Sequence, residues 1–253
     1  MNIVMVAAEN DALPGGKVGG LGDVVRDLPL ALADIGHQVT VVSPGYGKFA
    51  DNDRSTFKQT INVPFADGIE PVELFAVVSP NYPHKCVNHW VLEHPLFSAA
   101  GKGVIYCNDD RGPFATDAHK FALFSAAVCE LIKQQILTPV DILHCHDWHT
   151  ANIFILREYS PRYACLKSLA TVYSIHNLSI QGVRPFSGDE SSLTSWFSDL
   201  NYNSAAICDS VHTDCVNFMR ASIALADKVN TVSPNYAKEI LEPSCWQVGR
   251  VEQ

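Results

Sequence analysis

A chain of 253 residues can bury roughly 70–75% of the surface that its unfolded form exposes. With 47% hydrophobic and 18% charged residues, 15 Gly and 14 Pro, it has a globular composition that excludes collagen-like, coiled-coil and disordered classes. Eighteen Lys and Arg against 27 Asp and Glu leave a formal charge of −9, a field that repels phosphate backbones and anionic lipid, so neither nucleic acid nor a membrane surface is an expected partner.

The longest apolar stretch, residues 121–129, is broken by Ser125 and closed by Glu130, far short of the ~18 residues of a membrane span. Met1-Asn2-Ile3-Val4 enters a strand-like segment without a cationic leader pattern, so the expected location is cytoplasmic. Eight cysteines are scattered without C-x-x-C pairs, the usage of reduced, buried thiols.

Residues 2–8 form a β-branched apolar run, a Gly-rich loop follows over residues 10–17, and residues 18–36 carry apolar side chains at helical spacing. Leu21, Val24, Val25, Leu28, Leu32 and Ile35 share one face of that helix, and Gly36 is its stop. A second buried strand, residues 38–43, ends at Pro44-Gly45 and completes a β-α-β unit. Residues 56–93 differ: Ile61, Val63 and Phe65 alternate, Asp67-Gly68 signals a hairpin turn, and residues 74–78 and 87–92 resume strand patterns, which predicts a β-rich insertion or meander.

Residues 111–117 read as a polar turn before a helix over residues 118–135. Alternation then returns, with strands at 140–144 and 168–175 flanking a helix at 150–159, and a long polar loop at 177–189. Small helices are predicted at 193–200 and a longer one at 214–226, then a last strand at 229–233 and a helix over 234–241 with Pro234 in its first turn. Strands alternating with helices give an α/β, doubly wound, mostly parallel Rossmann-like sheet. No linker divides the chain, so residues 1–253 are expected to form one domain.

Open α/β sheets bind ligands beyond the carboxyl ends of their strands. Four segments lie there. In Lys17-Val18-Gly19-Gly20-Leu21-Gly22-Asp23, glycines permit close backbone approach and the helix N-terminus offers N–H groups to an anion such as phosphate; the same residues also suit a flexible loop with a solvated lysine. The spacing is neither a nicotinamide fingerprint nor a Walker loop.

His144-Cys145-His146-Asp147-Trp148-His149 resembles zinc ligation in composition, but neighbouring strand positions point to opposite sides, which disfavours a metal. Either His144 and His146 are core residues with Asp147 capping the next helix, or Asp147 and Trp148 face a polar, stackable ligand such as a sugar. Ser174-Ile175-His176-Asn177, with Gln181-Gly182 downstream, is another strand end opening on the same crevice. Thr231-Val232-Ser233-Pro234-Asn235-Tyr236 is the fourth and weakest. No second carboxylate in these segments pairs with Asp147, which disfavours glycoside hydrolysis.

In order and spacing, K-x-G-G-L at residues 17–21 with Asp23, H-x-H-D-W-H at 144–149, I-H-N-L-x-x-Q-G at 175–182 and T-V-S-P-x-Y-A-x-E-I at 231–240 resemble the glycogen and bacterial starch synthases. The resemblance implies the N-terminal half of a two-domain GT-B glycosyltransferase. Such an enzyme is a retaining hexosyltransferase moving glucose from a nucleotide-glucose, usually ADP-glucose, to an α-1,4-glucan acceptor, with no further cofactor. It also implies roles. Lys17, Gly19 and Gly20, with Asp23 beside them, face the diphosphate; Asp147 and Asn177 hold glucosyl hydroxyls; His176 lines the reacting centre; Trp148 and His149 support the loop or meet the acceptor; and Gln181 belongs to the same binding loop.

The family's R-x-x-x-x-K pair and E-x-x-G segment have no counterpart in these residues, so a nucleotide-binding C-terminal half in cis or trans is the expected partner, and the chain alone is expected to be inactive. D-N-x-x-R-F is replaced by Thr116-Asp117-Ala118-His119-Lys120-Phe121 and L-K-x-G by Met219-Arg220-Ala221-Ser222, with Lys120 and Arg220 keeping the charge. A glucan-binding or regulatory module without turnover is the alternative reading.

Overall fold

The computed structural model describes residues 1–107, 109 and 114–242. Its elements in chain order are β1 (Asn2–Val6), α1 (Gly20–Asp34), β2 (Gln38–Pro44), β3 (Ser55–Phe65), β4 (Gly68–Val77), β5 (Val87–Glu93), α2 (Ala115–Lys133), β6 (Ile142–His146), α3 (Asn152–Tyr159), β7 (Ala170–Ile175), β8 (Val183–Pro185), α4 (Leu193–Trp196), α5 (Ser204–Ile207), β9 (Cys215–Asn217), α6 (Phe218–Leu225), β10 (Lys228–Thr231) and α7 (Pro234–Glu239). Eight strands form one sheet in the order β10-β7-β6-β1-β2-β5-β4-β3, and β8 and β9 form a small antiparallel pair. From β10 to β5 every pairing is parallel; only β3 and β4 run antiparallel to their neighbours.

The β-rich stretch is a meander, and it continues the main sheet through the β2–β5 pairing. Its two-residue turn brings Phe65 opposite Gly68, with Ala66 in the left-handed region at φ 50°.

β1 shows why the alternation of a one-sided strand is missing from the first apolar run. Val4 and Val6 point into the large core beneath α2 and α3, whereas Ile3 and Met5 pack on the opposite face with Leu21 and Val25 of α1. A strand covered on both sides has no reason to alternate. Helix α1 ends where Gly36 takes φ +93°, a conformation that costs an L-residue about 1–2 kcal/mol. Ile35, placed on the apolar face by its spacing, lies beyond the last helical turn and is 71% exposed; Pro29 and Ala33 are buried instead.

Other expectations are corrected. Helix α2 starts at Ala115, three residues earlier than its periodicity indicates, because Asp117 and Lys120 are buried as a pair and hide the apolar pattern. Of the polar turn at 111–117, residues 111–113 lie outside the described residues. The sixth strand is shifted to Ile142–His146, which puts His144 and His146 inside the sheet. The helix expected at 214–226 begins only at Phe218, since residues 215–217 pair as β9 with β8, a strand inside the loop at 177–189. Among the described cysteines, all free, Cys129 and Cys145 are buried, but Cys165 is exposed and the others are intermediate. No described helix is long and apolar enough to cross a membrane.

Candidate active site

The chain leaves β1 toward β2 on one side and returns as β6 on the other, so the sheet's switch point lies between β1 and β6. Neighbouring connections diverge there and open a crevice at the carboxyl ends of the strands. A cavity of about 620 Å³ occupies it, walled by Glu9 and residues 18–21, by Tyr106, Cys107 and Asp117, by Asp147, Trp148 and His149, and by His176, Asn177 and Ile180, with Val232 at the rim.

The first wall is the start of α1, with Gly19 as N-cap in extended backbone at φ −127° and no side-chain cap. Its donors meet Glu9 instead. The amides of Val18 and Gly19 both donate to Glu9 Oε2 at 2.8 Å, and the Tyr106 hydroxyl donates to Glu9 Oε1 at 2.8 Å. Gly20 has open space on its exposed side, so a ligand atom can approach the backbone there.

The opposite wall comes from β6 and β7. Asp147 sits at φ 56° directly after β6, and its Oδ1 accepts the His176 amide at 2.8 Å. Burial lifts this carboxyl to about 7 against the pull of the His176 and Asn177 amides, with the nearby Glu9 charge adding to the rise. His176 shares a 2.9 Å hydrogen bond between its Nε2 and Nδ1 of His146. Burial holds His176 at about 4, so at neutral pH it is an uncharged imidazole. His149 stacks on the Tyr106 ring with centroids 5.2 Å apart, and its Nδ1 is buried without a hydrogen-bond partner.

The starch synthase catalytic domain model matches residues 2–251. The chain belongs to this family. A glycogen synthase of Treponema denticola is 32% identical over 244 residues, 96% of this chain and 47% of that protein. Glycogen synthase 1 of Synechocystis is 34% identical over 253 residues, 96% of this chain and 43% of that protein. The catalytic domain of starch synthase IV from Arabidopsis thaliana, solved bound to ADP and acarbose, gives a TM-score of 0.75 at 27% identity, covering 98% of this chain and 48% of its own. The chain thus spans about half the length of the curated relatives it matches, with the fold of one Rossmann-like half of a GT-B glycosyltransferase.

In this starch synthase domain the four sequence segments converge as expected, but not every named side chain reaches the cavity. Gly19, Gly20, Asp147, Trp148, His149, His176 and Asn177 line it; Lys17, Asp23 and Gln181 do not. Lys17 turns outward, half-exposed, to Asp23 at 2.5 Å, and Asp23 in turn meets Arg26 at 3.0 Å. Gln181 is a tie: its carbonyl oxygen Oε1 accepts from Asn217 Nδ2 at 2.6 Å and its Nε2 donates to the Leu178 carbonyl at 3.1 Å. Asp147 makes no side-chain cap to the following turn, so the capping role falls away. Lys120 is 2% exposed, donates to Asp117 and to the Ile105 carbonyl, and lies over the Tyr46 and Phe121 rings, which removes it from acceptor contact. Arg220 is exposed.

Apart from Val232 at the rim, the fourth segment is scaffolding. Ser233 caps α7 through the Tyr236 amide, and the Tyr236 hydroxyl accepts the Leu178 amide at 2.9 Å, pinning the loop after His176. Trp148 is pinned likewise. Gly182 is at φ +67°, and a Cβ there would stand 2.4 Å from Trp148 Cε3. Gly182→Ala therefore combines left-handed strain with a ring collision, expected to cost about 3 kcal/mol. For a chain of this size that is a fall of roughly 6–12 °C in melting temperature, measured by circular dichroism; an unchanged melting temperature would remove Gly182 from the support of the site.

The lining residues missed from sequence include Glu9, Tyr106, Cys107 and Phe114, while Asp117 enters there only as part of the 116–121 stretch. Glu9 carried a readable signal, a lone carboxylate three positions past β1 on the crevice side. Tyr106 and Cys107 lie in a connection without a motif, and only tertiary folding brings them in.

Proposed function

We propose that the chain is the acceptor-side half of a retaining glucosyltransferase that moves glucose from ADP-glucose to the non-reducing end of an α-1,4-glucan, and that it is inactive without a nucleotide-binding half. The observation that carries this reading is one cavity in which the α1 N-terminus faces Asp147, Asn177 and neutral His176. First-turn amides and the helix dipole suit the phosphates of a departing nucleoside diphosphate, and preorganised donors stabilise charge as it builds on that group. Asp147 and Asn177 offer acceptors for glucosyl hydroxyls.

The structure solved with ADP and acarbose supports a site for a nucleotide and a saccharide in the same fold. The need for a second half is supported by the half-length coverage and by apolar side chains left open at the cavity mouth, Val18 at 63%, Val232 at 51% and Ile180 at 37% exposure. A carboxylate pair of glycosidase type is not what the cavity offers, since Glu9 already accepts three hydrogen bonds and Asp117 is paired with buried Lys120. Lys17, released from Asp23, is the cation that would reach the diphosphate when the second half closes on it.

Calorimetric titration of the chain with maltoheptaose and, separately, with ADP-glucose tests the reading. Binding of the glucan is expected, with nucleotide binding too weak for calorimetry to register. Tight ADP-glucose binding that Lys17→Ala abolishes would show a complete donor site and contradict the half-site assignment, and binding of neither ligand would contradict the acceptor assignment.

A further inference from the structure

Glu9 has no role in the glycine-loop, Asp147 or His176 motifs, yet it ties two walls of the cavity together. It is 3% exposed and accepts three hydrogen bonds from two separate parts of the chain. Its own backbone is held fast, because the Tyr46 hydroxyl donates to the Ala8 carbonyl at 2.7 Å and the Asn10 amide to the Gly16 carbonyl at 2.7 Å. Two consecutive backbone N–H groups aimed at one oxygen are the arrangement that binds external anions. Here an internal carboxylate fills it.

We propose that Glu9 is the positioning residue of the glycine loop: its carboxylate occupies the Val18 and Gly19 amides and bolts them to Tyr106, so that the later first-turn amides of α1, Gly20 and Leu21 among them, are the ones left for a donor phosphate. This rests on the glucosyltransferase reading for the identity of the anion, but not for the bracket itself. Two consequences follow from the geometry. The loop cannot swing toward solvent without breaking charge-assisted hydrogen bonds, which are about twice as strong as neutral ones. The Tyr106 ring, tethered through its hydroxyl, is held in its stack on His149, so the floor of the cavity is set by the same carboxylate. The negative charge at the loop also rejects an anion that approaches on the Val18 side and admits one only at the start of α1.

The test reads ¹⁵N amide signals of the wild-type chain and of Glu9→Gln, first for hydrogen exchange and then in a titration with inorganic pyrophosphate. The Gln side chain keeps the size of Glu9 and one acceptor oxygen but loses the charge and the second acceptor. Exchange at Val18 and Gly19 is expected to accelerate roughly 10- to 100-fold, the equivalent of losing a charged hydrogen bond. Pyrophosphate is expected to move Gly20 and Leu21 in the wild type while leaving Val18 and Gly19 in place, and to move all four in Glu9→Gln. Unchanged exchange in Glu9→Gln, or wild-type Val18 and Gly19 signals that follow pyrophosphate, would overturn the proposal. Pyrophosphate that moves no amide in either protein would overturn the donor-phosphate reading of α1, and the exchange result then decides the bracket alone. Should Glu9→Gln fail to fold, Tyr106→Phe removes the other end of the bracket; unchanged exchange at Val18 and Gly19 in that variant overturns the coupling.

Discussion

Acidifying the chain from pH 7.5 to 5 is expected to remove about 5 kcal/mol of its stability and to unfold it cooperatively between pH 5 and 4. The cause is a set of buried imidazoles. Burial holds His89, His144 and His176 at about 4 and His149 at about 3, and His146, packed on His144 with centroids 4.3 Å apart, lies well below its ordinary value. An unfolded histidine titrates near 6.5, so between pH 6.5 and 4 the unfolded chain binds more protons than the native one. Stability conferred by neutral imidazoles is therefore complete above 6.5 and lost as pH falls through that window.

At pH 5 each of the first four contributes a loss of about 2 kcal/mol, on the order of 8 kcal/mol together, and His146 acts in the same direction. Asp147 works oppositely. Its folded value of about 7 lies above that of a free carboxyl, so the native state gains protons between pH 7 and 3.8 and recovers about 3 kcal/mol at pH 5. The net loss is comparable with the whole stability of an ordinary domain, 5–15 kcal/mol. Thermal melts followed by circular dichroism at pH 7.5, 6.5, 5.5 and 5.0 measure it. Equal melting temperatures at 7.5 and 5.0 would mean that the histidines are not buried neutral.

The second large effect is on turnover. Fused to a nucleotide-binding half, the chain is expected to lose transfer on the order of 100-fold or more in Asp147→Asn, the scale of removing one preorganised charged partner of a transition state. The Asn carbonyl can still accept the His176 amide, so the fold should stay and the melting temperature shift little. A charged acceptor holds sugar hydroxyls more strongly than a neutral one, so activity should rise with pH as Asp147 ionises near 7 and the acid limb should vanish in Asp147→Asn. A variant that keeps both its rate and its acid limb would assign the limb to another group and take Asp147 out of the site.

Much of this was legible in residue order because strands and their carboxyl ends are local features. Residues 38–43 announce their strand directly, Asp67-Gly68 marks a hairpin whose turn sits one residue earlier at Ala66-Asp67, and the carboxyl-end rule places residues 18–20, Asp147, His176 and Asn177 in one crevice from residue order alone. What stayed hidden depends on distant partners. Asp117 is paired with Lys120 inside α2, so the first turn of that helix, residues 115–117, reads as polar loop. Residues 215–217 become a strand only because Val183–Pro185 arrives to pair with them. Lys17 was placed at the diphosphate by its motif, but in the free chain Asp23 holds it outward. Glu9, a single carboxylate after a strand, acquires its meaning only when the Val18, Gly19 and Tyr106 donors converge on it.

The central claim is that this chain supplies one wall of a glucosyl-transfer site that a second half completes. Its most direct test fuses the chain to the C-terminal half of the Treponema denticola glycogen synthase and follows radiolabelled glucose from ADP-glucose into maltoheptaose, beside the isolated chain and the fused Asp147→Asn variant. Transfer by the fusion, loss of it in the variant and none from the isolated chain are expected, with the new linkage in the α configuration. Transfer by the isolated chain at the rate of the fusion, or a folded fusion that is inactive or indifferent to Asp147→Asn, would contradict the account.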